Sequence, residues 1–172
     1  CPQLANVTIG KSVTSLGGGA FAGCKALRTL TVDSPVVGSR TFTATYFAGT
    51  SISDVRIGES VTEIGYKAFY QEKSLTTVTM GDGVKSIGNQ AFRYCTALSS
   101  LELSKSVTAI DKSAFGYCSS LTAAELPPAL ITLGDSAFSN CGSLQDVSFP
   151  SSLRTIGSYA FINCRSLQNV SF

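Results

Sequence analysis

Phenylalanine recurs at a constant step of 23, at Phe69, Phe92, Phe115, Phe138 and Phe161, and alanine precedes it each time. A side chain that returns in one register so often marks a repeated structural unit, with each copy stacked on the last. The unit is clearest in Ser106 to Leu126, SVTAIDKSAFGYCSSLTAAEL. Its skeleton is Val107-x-x-Ile110, Ala114-Phe115, Cys118, then Leu121-x-x-Ala124-x-Leu126. Ala20-Phe21 extends the series toward the N-terminus, and Thr41-Phe42 reads as a degenerate member.

The final triplet recurs as Leu4-Val7-Ile9, Leu27-Leu30-Val32, Ile52-Val55-Ile57, Leu75-Val78-Met80, Leu98-Leu101-Leu103, Leu121-Ala124-Leu126, Leu144-Val147-Phe149 and Leu167-Val170-Phe172. An L-x-x-L-x-L core with a period of 20 to 29 is the mark of a leucine-rich repeat. The last two apolar residues alternate with polar ones, the strand period. The expectation is a β-rich solenoid: a right-handed coil with a parallel sheet of about eight strands, roughly 35 Å along its axis. Gly and Pro end each strand, as in Gly81-Asp82-Gly83 and Pro127-Pro128. A V-x-x-I-G stretch follows, as in Val84-Ile87-Gly88, and reads as a second short strand on the opposite wall. Its Gly is expected to supply a positive φ at the next corner. No segment carries an amphipathic helix of three turns.

The rhythm breaks between residues 33 and 57. The step from Phe21 to Phe42 is 21, and the step from Phe42 to Phe69 is 27. On this reading two residues are missing before Phe42, and four are added within Thr43–Thr50, a surface loop. Residues 1–172 read as one array. Cys1 lies one full period before Cys24, and Phe172 ends a strand motif, so the expectation is a fragment of a longer array. An N-terminal Cys also suits a mature bacterial lipoprotein, but Cys1 fits the repeat register.

Composition narrows the function. Charged residues make up 14% and net charge is +2, with no cationic cluster for phosphate, so nucleic acid is not an expected partner. No apolar run is long enough to cross a membrane. There is no His, which removes Ser-His-Asp and Cys-His nucleophile systems and His-ligated zinc.

SVTEIGYKAF, SVTAIDKSAFGYCSSL and SLRTIGSYAFINCRSLQNVSF resemble the BspA-type leucine-rich repeat, with its 23-residue unit. The resemblance covers essentially the whole chain and weakens around Pro35 to Thr50. It implies a surface or secreted protein, with adhesion to matrix proteins or partner cells among the family's roles. It brings no catalytic motif and no cofactor.

Cys24, Cys95, Cys118, Cys141 and Cys164 each stand third after the repeat Phe, while Thr45 and Glu72 fill that slot elsewhere. Stacking brings such cysteines to about 5 Å, within disulfide range, but parallel side chains in a ladder favour buried thiols; no metal site and no disulfide is expected. On the strand face, Asp54, Arg56, Glu102 and Glu125 point outward among small hydroxyl residues. Glu102 and Glu125 are stacked neighbours about 5 Å apart, the spacing of a retaining glycosidase, yet nothing in the sequence forms a cleft around them. Tyr94 and Tyr117 share one repeat position, and Tyr46 and Phe47 lie in the inserted stretch; aromatics of this kind anchor interfaces. The sequons Asn6-Val7-Thr8 and Asn169-Val170-Ser171 follow from the repeat pattern itself. Gly17-Gly18-Gly19 belongs to a repeat turn and lacks the Lys-Ser/Thr of a phosphate loop.

These features point to a non-enzymatic, extracellular or cell-surface module that binds a protein ligand through Asp54, Arg56, Glu102, Glu125, Tyr46, Phe47, Tyr94 and Tyr117. A structural spacer for another domain is the first alternative. A carboxylate hydrolase at Glu102 and Glu125 is the remote one.

Overall fold

Each 23-residue unit forms one coil of a parallel β-solenoid in the computed structural model, which describes residues 1–38, 42 and 44–171. In chain order the strands are β1 (Asn6–Ile9), β2 (Thr29–Val32), β3 (Asp54–Ile57), β4 (Glu63–Ile64), β5 (Thr77–Met80), β6 (Ser86–Ile87), β7 (Ser100–Glu102), β8 (Ala109–Ile110), β9 (Thr132–Leu133), β10 (Asp146–Ser148), β11 (Thr155–Ile156) and β12 (Asn169–Ser171). One wall runs β1-β2-β3-β5-β7, with β10-β12 further along. The opposite wall runs β4-β6-β8-β9-β11 and is built by the V-x-x-I motifs, as expected. Every pair is parallel, and partners keep the repeat register, as in Thr77 with Ser100 and Ile87 with Ile110.

The core lies between the walls. Leu30, Val55 and Val78 point inward from one wall, Ile64, Ile87 and Ile110 from the other, and all are fully buried. Between them the repeat phenylalanines stack face to face. Phe69–Phe92, Phe92–Phe115 and Phe115–Phe138 have ring centroids 5.1, 5.3 and 5.1 Å apart. The backbone locks the same step: the N–H groups of Phe92 and Phe115 each donate 2.8 Å to the carbonyls of Ala114 and Ala137 in the next coil. Ala91, Ala114 and Ala137 are fully buried, where a larger side chain would push coils apart.

The irregular coil has a different register from the one its sequence suggests. Phe21 N–H donates to the carbonyl of Tyr46, and Gly23 N–H to that of Ala48. Those are the bonds that Phe92 and Tyr94 make to Ala114 and Gly116. Phe47 also stacks on Phe21, centroids 5.7 Å apart and planes within 4°. Tyr46-Phe47, not Thr41-Phe42, therefore takes the Ala-Phe place, and Thr50, not Thr45, takes the cysteine slot. The inserted residues fall before this pair, and Phe42 turns inward and packs edge-on against Phe69 at 5.9 Å. Thr41, Thr43 and Phe172 lie outside the described residues.

The expected positive φ also sits elsewhere. It falls two positions after the glycine, as at Lys67 and Gln90, and two after the phenylalanine, as at Tyr94 and Tyr117. The glycine answers a different demand: a Cβ on Gly88 would stand 2.8 Å from the carbonyl oxygen of Ile64 in the preceding coil.

One coil leaves the strand wall. Eight strands are expected, but Leu121–Leu126 forms only a bridge, Ala123 to Asp146. Proline stands at the break. Asp33, Gly58 and Gly81 close their strands by donating N–H to the carbonyls of Ile9, Val32 and Ile57. Pro127 and Pro150 stand in that slot and have no N–H to give. Pro127-Pro128 also holds Leu126 and Pro127 in extended backbone that resists adjustment.

Candidate functional site

The missing strand opens a groove in the outer face of the wall. No hydrogen bond joins β7 to residues 122–126. On the far side of the same coils β8 still pairs with β9, and the phenylalanines hold their spacing. The coils thus stay strand-paired at one wall and lose that pairing at the other. The groove is about 690 Å³, with Leu101, Leu103, Leu126 and Pro127 on its floor and sides. Glu102 stands on one lip and Glu125 on the other, both exposed. The sequence puts no cleft around this pair; the structure supplies one, because the break in pairing lies between coils.

Asp54 and Arg56 lie two positions apart on β3 and face outward together. Arg56 Nε donates to Asp54 Oδ1 at 3.1 Å. An exposed pair of this kind contributes little to stability. It sits two coils away from the groove, so the four charged candidates form two sites rather than one.

Tyr94 and Tyr117 do stack, with centroids 4.5 Å apart. Tyr70 extends the row edge-on to Tyr94 at 5.7 Å. The Arg93 guanidinium lies 4.9 and 5.4 Å from the Tyr94 and Tyr117 ring centres, a cation–π clamp. Lys67 sits 5.0 Å from both Tyr66 and Tyr70. Tyr159, at 70% exposure, lies further along the same edge. Arg93 and Lys67 escape a sequence reading because their slots carry other residue types in the neighbouring repeats. Tyr46 and Phe47 are 6% and 1% exposed and belong to the core, since they replace the repeat Ala-Phe pair. They cannot serve as surface anchors.

The cysteines point inward along one line. Each thiol donates to the carbonyl of the phenylalanine one coil back: Cys95 to Phe69 at 3.1 Å, Cys118 to Phe92 at 3.3 Å and Cys141 to Phe115 at 3.2 Å. Burial pushes all three thiols well above their ordinary range. Glu72 interrupts this line. Burial alone raises its carboxyl from 4.5 to about 7. It lines a recess of about 370 Å³ together with Thr50, whose buried Oγ1 has no hydrogen-bond partner. Among the described residues no group of three His, Cys, Asp or Glu side chains is arranged to hold a metal. No helix among them is long and apolar enough to cross a membrane.

A family model for the BspA type leucine rich repeat region matches residues 1–80 and 40–168, in six copies. The chain belongs to the BspA-type leucine-rich repeat family. No curated protein matches. Among solved structures, a leucine-rich repeat protein of T. pallidum is 37% identical over 72% of this chain and 60% of its own, with a TM-score of 0.69. A leucine rich cell surface protein from Faecalibacterium prausnitzii is 28% identical, over 98% of this chain and 48% of its own, with a TM-score of 0.62. The pneumococcal vaccine antigen PcpA shares the fold, with a TM-score of 0.58 at 13% identity over 98% of this chain and 56% of its own. The chain thus spans about 60% of the treponemal protein and about half of the other two. This BspA-type array has the family's fold, and that family is typically non-enzymatic.

Proposed function

We propose that this chain is a protein-recognition module of a cell-surface or secreted protein, with an adhesive role toward matrix proteins or other cells. The observation that carries this reading is the groove between β7 and residues 122–126. It is a recess of ligand-pocket size with apolar and polar lining, next to five coils joined by continuous strand pairing, β1-β2-β3-β5-β7. Around it the continuous phenylalanine stack keeps the frame rigid, so little freedom is lost when a partner binds. The cell-surface description of the F. prausnitzii relative supports the location. Tyr94 and Tyr117, clamped by Arg93, offer a second contact along the neighbouring edge.

Two measurements test this reading. Protease treatment of intact source cells should release peptides from Ser106–Leu126. Surface plasmon resonance of the purified chain against a panel of matrix glycoproteins should show saturable binding, weakened by E102Q/E125Q and by Y94A/Y117A. Release only after lysis would remove the surface location. Binding that both variant pairs leave unchanged would put the site elsewhere.

A further inference from the structure

The groove has a property that its volume does not convey: its lips are unpaired backbone. In a parallel sheet alternate residues turn their N–H and C=O to opposite neighbours. In β7 the backbones of Ser100 and Glu102 face β5, so Leu101 faces the groove. No partner takes its N–H or its C=O there. Across the gap the N–H of Glu125, two positions before Pro127, is equally without a partner. Free strand edges invite another strand. Residues 122–126 of this chain make no bond to that edge, so a strand from outside is the complementary occupant.

Charge narrows the choice of strand. Glu102, Glu125 and Asp82 border the groove, against Lys105 alone. Successive side chains of an extended peptide point to opposite faces. One face would meet Leu101, Leu103 and Leu126, and the other would reach the carboxylates at the rim.

We infer that the groove takes an extended peptide bearing lysine or arginine, which adds to the free edge of β7 as a strand. The inference rests on the protein-recognition reading and names the ligand class of that site. Backbone pairing to Leu101 supplies register, the leucine floor supplies contact, and Glu102 and Glu125 select the cation.

The test uses three fluorescein-labelled octapeptides: alternating Thr-Lys, the same peptide N-methylated at alternate amides, and alternating Thr-Glu. Fluorescence anisotropy reads affinity, and amide NMR shifts of Leu101 and Glu125 read the place. The Thr-Lys peptide should bind saturably and move both amides. N-methylation, reversal of charge and E102Q/E125Q should each weaken it by about tenfold or more. Pro127→Ser restores an N–H in the slot where Asp33, Gly58 and Gly81 donate to the preceding coil; it should close the wall and abolish binding. Equal affinity of the N-methylated peptide, or unmoved Leu101 and Glu125 amides, would overturn the inference. If the chain binds a matrix protein while these amides ignore the Thr-Lys peptide, the inference fails and the wider reading stands. If it binds neither, both fail.

Discussion

Glu72 shows what one residue does to a repeated slot. The next residues of the line, Cys95 and Cys118, are thiols, which tolerate burial because they are neutral and donate to the phenylalanine carbonyls. A carboxylate in the same place loses hydration, and burial lifts its pKa from 4.5 to about 7. The folded state therefore holds a proton that the unfolded chain gives up at lower pH. Stability from this group is complete below about pH 4.5 and is lost as pH rises through about 7. For a half-buried group the loss is about 1–3 kcal/mol. Urea titrations at pH 5 and pH 8 should show the parent less stable at pH 8, and Glu72→Cys should remove that difference. Gln71, next to it, tests backbone strain. Its φ is 63°, the region that disfavours L-residues. It is exposed, and Gly23 and Gly49 fill the equivalent slot elsewhere with φ of 72° and 74°. Gln71→Gly should raise stability by about 0.5–1 kcal/mol, read from the midpoint of the same titration.

At the scale of elements, the phenylalanine stack from Phe69 and the thiol line from Cys95 behave as continuous columns. Phe115 is fully buried between Phe92 and Phe138. Phe115→Ala should cost about 3–5 kcal/mol of stability. Phe161 ends the stack half-buried, with Phe138 on one face and Phe149 edge-on. Phe161→Ala should cost measurably less, because less ring surface leaves water there. Chemical denaturation of both variants gives the comparison. The thiols of Cys95, Cys118 and Cys141 are buried and raised in pKa, whereas Cys1 is exposed. Iodoacetamide at pH 8 should label Cys1 in the folded chain within minutes and the three buried thiols only after unfolding. Rapid labelling of Cys118 in the native state would mean that the coils open locally.

The molecule as a whole is held by apolar stacking and strand pairing rather than by charge. Among the described residues the structure shows one salt bridge, Arg56 to Asp54, and it is solvent-exposed. Thermal unfolding should therefore shift by less than about 2 °C between 50 mM and 500 mM sodium chloride. Binding of the Thr-Lys peptide at the acidic groove should weaken over the same range. That contrast separates the scaffold from the site: salt acts on the rim carboxylates and leaves the buried columns alone.

The repeat period by itself determined the solenoid, the two walls, the buried Ala-Phe column and the cysteine line. Each of these depends on a residue meeting its own copy one coil away, and that relation is visible in one dimension. The outward placing of Asp54, Arg56, Glu102 and Glu125 followed from strand alternation in the same way. The register of the irregular coil did not, because both Phe42 and Phe47 suit a core and only the bonds from Phe21 and Gly23 choose between them. Burial of Tyr46 and Phe47 follows from that choice. The groove was equally hidden. Pro127 is plain in the sequence, but its missing N–H matters only through the Leu103 carbonyl, which is distant along the chain and one coil away in space. Tertiary structure alone decided that a break in hydrogen bonding would become an opening, because the other wall and the phenylalanine column keep the coils from closing it.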